Sequence, residues 1–247
     1  MKNKTVIITG ASTGIGKAIA AYFIERGSNV VMNSHNEENL KTAYVELGSP
    51  SNAIYHAGDI GQKSTGEALV RLALETFDSI DVLINNAGVF APKPFLEVGE
   101  EDLERYWNIN LKGTYFASQA AIAKMVKQQN GAIINIGTVL VDHAIGGFPA
   151  TAPITSKGAI HSLTRQLAAE FGQDNIKVNT IAPGIIRSPL QGKMGIQNAD
   201  NLAGLHLLNR IGEAEEIAEA AYYLASSDFI TGETINVAGG HTVGHFI

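Results

Sequence analysis

Short runs rich in Val, Ile and Leu alternate along the whole chain with longer stretches whose apolar residues recur every three or four positions. The short runs predict strands at 5–9 (TVIIT), 29–33 (NVVMN), 53–57 (AIYHA), 81–86 (DVLINN), 132–137 (AIINIG), 177–182 (KVNTIA) and 234–238 (TINVA). Helices are expected between them; from Ser156 to Phe171, for example, Ile160, Leu163, Leu167 and Phe171 share one helical face. Continuous apolar strands alternating with amphipathic helices predict an α/β fold, a three-layer, doubly wound parallel sheet of about seven strands.

No linker, repeat or low-complexity tract divides the chain, so residues 1–247 are expected to form one domain. The irregular stretch is 187–209, where Leu190, Met194, Ile196, Leu202 and Leu205 follow a Pro-Gly turn. Its position fits a lid over a substrate pocket, and equally a surface excursion packed for stability.

With 247 residues the chain can bury a sizeable core unaided, and 45% hydrophobic against 17% charged residues is too apolar for disorder. No apolar run reaches bilayer length, so no membrane partner is expected. The net charge of -6, without a basic stretch, argues against nucleic acid. Zero cysteines exclude disulfides, thiol catalysis and Cys-ligated zinc, and no metal site is expected. The opening MKNKTVIITG lacks a signal-peptide core, which points to a cytoplasmic location.

Chemistry enters at the end of the first strand, in Thr9-Gly10-Ala11-Ser12-Thr13-Gly14-Ile15-Gly16, directly ahead of a helical run. Glycines there let the chain turn sharply and bring backbone N–H groups up to a pyrophosphate, whose charge the helix N-terminus favours. Further candidates fall at the ends of later strands: Asp59 for an adenine amino group, Asn85-Asn86-Ala87-Gly88 for close approach of a cofactor, and Pro183-Gly184 with Ser188 for a carboxamide. Each alone fits a turn equally well; their order along the chain predicts a dinucleotide site.

These motifs, with Asn110, Lys157 and the segment RIGEAEEIAEAAYYLASSDFITGETINVAGG, resemble the short-chain dehydrogenase/reductase family in its compact form, from Thr5 to about Gly240. The resemblance implies a Rossmann-type sheet, a nicotinamide dinucleotide and a small-molecule substrate. It also implies a homotetramer or homodimer joined through helices near residues 101–127 and 152–171. Its cofactor contacts would fall on Gly10, Ser12, Thr13, Gly14, Ile15, Gly16, Ser34, His35, Asp59, Ile60, Asn86, Ala87, Gly88, Lys157, Pro183, Gly184, Ile186 and Ser188.

NAD-preferring relatives carry an acidic residue near position 34, where it binds the ribose 2′-hydroxyl and repels a 2′-phosphate. Ser34 removes that repulsion, and Ser34, His35 and Asn36 all offer donors to a phosphate. The basic residue often found in the glycine loop of NADP enzymes is absent, with Thr13 in its place. On balance the sequence favours NADP(H) over NAD(H).

The family's proton carrier is a Tyr one helical turn before a Lys, and here that pattern breaks. Lys157 follows Ser156 in TSKGAI, but Pro153 stands four residues upstream, without an ionisable group or an N–H. The family's Ser becomes Thr138, while Asn110 is retained. None of the seven tyrosines lies between Thr138 and Lys157, and Ala150 and Thr151 stand where the enoyl reductase branch would space its Tyr, so that branch gains no support. Pro153 suits the first turn of a helix entered at Thr151 or Ala152, which leaves Lys157 readable as a ribose ligand.

His143, the imidazole of the 138–157 segment, is a substitute acid candidate, since an ordinary histidine titrates near ~6.5. It reads as well as a solvated loop residue, and Asp142 beside it in the chain is expected to point elsewhere. The set Asn110, Thr138, Lys157 and His143 thus predicts an NAD(P)-dependent oxidoreductase with an atypical active site. Its substrate would be a small or apolar carbonyl, alcohol or activated alkene; the alternative is a non-catalytic NAD(P)-binding protein.

Overall fold

The computed structural model describes residues 1–189, 192 and 197–244. Among the described residues seven strands form one parallel sheet in the order β3-β2-β1-β4-β5-β6-β7. They are β1 (Thr5–Ile8), β2 (Asn29–Ser34), β3 (Ala53–Ala57), β4 (Val82–Asn85), β5 (Gly131–Ile136), β6 (Ile176–Pro183) and β7 (Thr234–Val237). All seven predicted strands are present, with ends shifted by a residue or so, as expected where pattern reading is weakest.

Side-chain alternation along each strand feeds two separate cores. Val6, Ile8, Val30, Met32, Val82, Ile84, Ala132 and Ile134 face α1 (Gly14–Glu25), α2 (Glu37–Glu46) and, across β5 and β6, α7 (Ala214–Ser226). Ile7, Val31, Leu83 and Ile133 face α3 (Lys63–Phe77), α5 (Gly113–Gln128) and α6 (Thr151–Phe171). Burial on both faces is why these strands read as continuous apolar runs, and each buried Ile or Leu contributes about 1.5–3 kcal/mol.

A short α4 (Glu100–Tyr106) runs into a wider π turn, Trp107–Lys112, which continues directly into α5. Asn110 sits in that turn, fully buried. Wide turns of this kind concentrate at functional positions.

On α6 the buried line differs from the predicted one. It runs through Pro153, Ser156, Lys157, Ile160, His161, Thr164 and Ala168, while Leu163, Leu167 and Phe171 are only half-buried. Polar side chains occupy this face because they are paired: Thr164 donates to the Ile160 carbonyl (3.0 Å), accepts from Asn135 (2.8 Å) and contacts the Thr180 hydroxyl (2.7 Å). The helix begins at Thr151 with Ala150 ahead of it, so Pro153 is its third residue, where the missing N–H costs no helical hydrogen bond.

Strand order reverses between β1 and β4, and the carboxyl ends on either side of this switch point form the crevice where open parallel sheets take ligands. Among the described residues no helix is long and apolar enough to cross a membrane.

Candidate active site

The first wall of the crevice is the turn from β1 into α1. Gly10 and Gly14 take positive φ values of +67° and +52°, the left-handed region that side chains disfavour. A Cβ on Gly10 would lie 2.8 Å from the Ala87 Cα, and one on Gly16 would collide with the Gly10 carbonyl and the Asn86 side chain. Asn86 locks the two loops together: its amide donates to the carbonyls of Thr9 (3.0 Å) and Gly10 (3.1 Å), while the Thr9 hydroxyl accepts from the Asn86 and Ala87 N–H groups, both at 3.0 Å.

Thr13 precedes α1 without a side-chain cap, so the first N–H groups of that helix face the crevice available to an anion. Ile15 packs on the core behind them. Ser188 closes the same corner, its Cβ 3.1 Å from where a Gly14 Cβ would stand. A backbone cradle that any added Cβ would fill is the shape a pyrophosphate needs.

The end of β2 forms the next wall. Ser34 is buried, and its hydroxyl lies 2.9 Å from that of Ser12 in the glycine loop. His35 is exposed, whereas Asn36 caps α2 by accepting the Asn39 N–H at 2.8 Å. That capping commits the Asn36 oxygen to the helix, and Glu37 and Glu38 follow in its first turn. Asp59 is exposed and turns back to accept the Gly61 N–H (2.9 Å), and Ile60 is buried beneath Gly113.

At the centre Gly88, Asn110 and Lys157 converge. A Cβ on Gly88 would stand 3.1 Å from Asn110 Oδ1 and 3.2 Å from Lys157 Nζ. The Asn110 amide is fully engaged: Oδ1 accepts the Val89 N–H (2.8 Å), and Nδ2 donates to the Val89 carbonyl (3.0 Å) and the Ser156 hydroxyl (2.8 Å). Its side chain therefore ties the segment after β4 to α6. Lys157 Nζ donates to the Ile136 carbonyl at the end of β5 (2.7 Å), and burial pushes its pKa down to about 8.

Thr138 begins the segment between β5 and α6, its hydroxyl accepting the Leu140 N–H at 3.3 Å. Asp142 and His143 diverge as expected. Asp142 reaches toward His161 Nδ1 on α6 at 4.0 Å, while the half-buried His143 ring meets that of His241, with centroids 5.4 Å apart. Opposite, Phe148 stacks on Phe90 from the segment after β4, with centroids 6.1 Å apart.

Pro183 ends β6, and Gly184 leaves room for His206 and Ala238: a Cβ there would lie 2.8 Å from His206 Nε2. Ile186 is buried and pairs with Gly212. Beyond it Arg187 binds Asp200 (2.6 Å) and Glu213 (3.1 Å), and Leu202 and Leu205 are half-buried; Leu190, Met194 and Ile196 lie outside the described residues.

A family model described as enoyl-(acyl carrier protein) reductase matches residues 10–242. A solved short-chain type dehydrogenase/reductase from Mycobacterium ulcerans superposes with a TM-score of 0.92 at 27% identity, over 99% of this chain and 92% of that one. The chain belongs to the short-chain dehydrogenase/reductase family. The 3-oxoacyl-(acyl-carrier-protein) reductase FabG of Thermotoga maritima is 32% identical, over 97% of this short-chain dehydrogenase/reductase and 98% of FabG. ElxO, solved with NADP bound, matches with a TM-score of 0.91 at 30% identity, covering 99% and 100% of the two chains. Membership makes this protein an NAD(P)-dependent oxidoreductase.

The sequence singled out neither His206, His241, His161 nor the Phe90–Phe148 pair. His161 carried a signal in its spacing, one turn beyond Lys157. His206 and His241 meet only through the tertiary fold.

Proposed function

We propose that this oxidoreductase uses NADP(H) and acts on a small or moderately apolar carbonyl, alcohol or activated alkene, in an active site where Pro153 replaces the family's tyrosine. The observation that carries the reading is the convergence of Gly88, Asn110 and Lys157 beside the glycine cradle, with Pro153 one turn before Lys157. Ser34, without negative charge at the end of β2, favours a 2′-phosphate, and the NADP bound in the ElxO structure agrees with that preference.

When bound, the nicotinamide supplies or accepts a hydride. The backbone of Gly10, Ser12, Thr13, Gly14, Ile15 and Gly16 holds the pyrophosphate, with Ser34 and His35 at the 2′-phosphate. Asp59 and Ile60 serve the adenine; Asn86, Ala87 and Gly88 shape the floor, and Pro183, Gly184, Ile186 and Ser188 serve the carboxamide. Lys157 donates to the ribose hydroxyls, Thr138 hydrogen-bonds the substrate oxygen, and His143 delivers the proton to that oxygen. Asn110 orients the floor through Val89 and Ser156.

General acid catalysis contributes about 10²- to 10⁴-fold of rate accelerations that reach about 10⁶-fold or more, so positioning and hydride transfer sustain a slower reaction without a tuned phenol. The enoyl description of the matched family model keeps activated alkenes in view, since these take hydride at carbon and a proton from water. We also read the chain as one domain whose 187–209 segment covers the substrate, working as a cytoplasmic homotetramer or homodimer.

Fluorescence titration with NADPH and NADH, followed by cofactor oxidation against a panel of carbonyls and enones, tests the reading. It expects tighter NADPH binding, turnover on at least one substrate, and loss of turnover in Lys157→Ala and His143→Ala. Failure of both nucleotides to bind overturns the cofactor assignment, and unchanged turnover in His143→Ala removes His143 as the acid.

A further inference from the structure

Three imidazoles from distant parts of the chain form a column along the carboxyl ends of β5, β6 and β7. The His143 and His241 rings meet edge to face at 5.4 Å and 85°, and the His241 and His206 rings at 5.1 Å and 82°. His206 and His241 are buried, at 1% and 2% exposure, whereas His143 at the outer end is half-buried. The inner end is anchored, because His206 Nε2 accepts the Ile185 N–H just beyond β6 at 3.1 Å, which places the His206 proton on Nδ1. Gly184 and Gly239 flank His206: a Cβ on Gly184 would lie 2.8 Å from its ring Nε2, and one on Gly239 3.6 Å from its ring Cδ2.

We propose that His241 and His206 are positioning residues that hold the His143 imidazole in one orientation for proton delivery to the substrate oxygen. This rests on the proposed function and deepens it. A half-exposed loop histidine otherwise samples several rotamers, and a reacting group displaced by about 1 Å loses on the order of 10²-fold in rate. Its neighbour Asp142 does not orient it, since that carboxylate faces His161. Burial pushes the pKa of His206 down, which favours its neutral form at the inner end. Arg210, paired with Glu216, faces His206 from the segment ahead of α7, and the Asp142 carboxylate beside His143 in the chain faces His161.

In the step itself the substrate carbon would gain a hydride from the reduced nicotinamide cofactor, which leaves oxidised, its oxygen would take the proton from His143, and solvent would reprotonate the imidazole.

The test has two arms. In the cofactor-free protein, proton NMR is expected to show cross-peaks linking the His143 ring to His241 and His241 to His206. His241→Ala should move the His143 ring resonances, while His241→Phe, which keeps an aromatic ring, should retain its contact to His143. In turnover of the best-reduced carbonyl, His241→Ala should lower kcat about tenfold or more with KM unchanged, and His241→Phe should recover it. Missing cross-peaks, an unchanged kcat, an effect confined to KM or failure of His241→Phe to recover kcat overturns the column. Loss of kcat in His143→Ala but not in His241→Ala rejects the column and keeps His143 as the acid; an unaltered His143→Ala rejects the proposed acid itself. Without turnover, the NMR arm still decides.

Discussion

Pro153 and Lys157 stand one turn apart on the buried face of α6, where the Ser156 hydroxyl between them donates to the Pro153 carbonyl at 2.7 Å and accepts from Asn110 at 2.8 Å. A proline thus occupies the first turn without disturbing the lysine, whose ammonium group still reaches the end of β5.

Lys157 makes stability depend on pH with a definite sign. Its pKa is about 8 in the folded protein against an ordinary 10.5, the cause being burial. Between those values the unfolded chain holds a proton that the folded chain has released, so stability rises with pH across that window; below about 8 both states are protonated and the full cost of the buried charge remains. Urea unfolding across the window should show this rise in the wild type and its loss in Lys157→Met. Identical slopes in the two proteins would mean the ammonium group is not buried as described.

The glycine cradle should tolerate no side chain. Gly16→Ala places a methyl group against the Gly10 carbonyl and the Asn86 amide, so it is expected to cost about 1–3 kcal/mol and to abolish NADPH binding. Asn86→Ala leaves the Thr9 and Gly10 carbonyls without their donor, with a loss of about 1–3 kcal/mol. Thermal melts with and without NADPH measure both effects.

Ser34 should set the nucleotide preference. Ser34→Asp puts a carboxylate beside Ser12 and the 2′ position, and NADPH affinity is expected to fall at least about tenfold, or about 1.4 kcal/mol, while NADH affinity rises. Parallel fluorescence titrations of the two nucleotides measure the switch, and equal losses for both would remove Ser34 from the 2′ site.

The sheet was legible because both its faces are buried: Val6, Ile7 and Ile8 point alternately into the two cores, yet all are apolar. The glycine turn was legible because backbone geometry restricts its residue types. The buried face of α6 was harder to read, since Lys157, His161 and Thr164 look solvent-facing until their partners from β5, β6 and the loop after β5 are known. Asn110 was found by its family position, but its clamp on Val89 and Ser156 depends on contacts 21 and 46 residues away in sequence. The His143–His241 pairing joins residues at opposite sides of α6, β6 and β7 in the chain, and no local pattern encodes it.

On the proposed reading, this short-chain dehydrogenase/reductase holds its cofactor as its relatives do and lacks the phenol one turn before Lys157. Steady-state oxidation of NADPH with a carbonyl panel, comparing the wild type with Pro153→Tyr, tests it most directly. The tyrosine is expected to raise kcat by about 10²-fold or more on at least one carbonyl, with NADPH affinity unchanged. A folded Pro153→Tyr protein that binds NADPH as the wild type does and reduces every carbonyl no faster would contradict it.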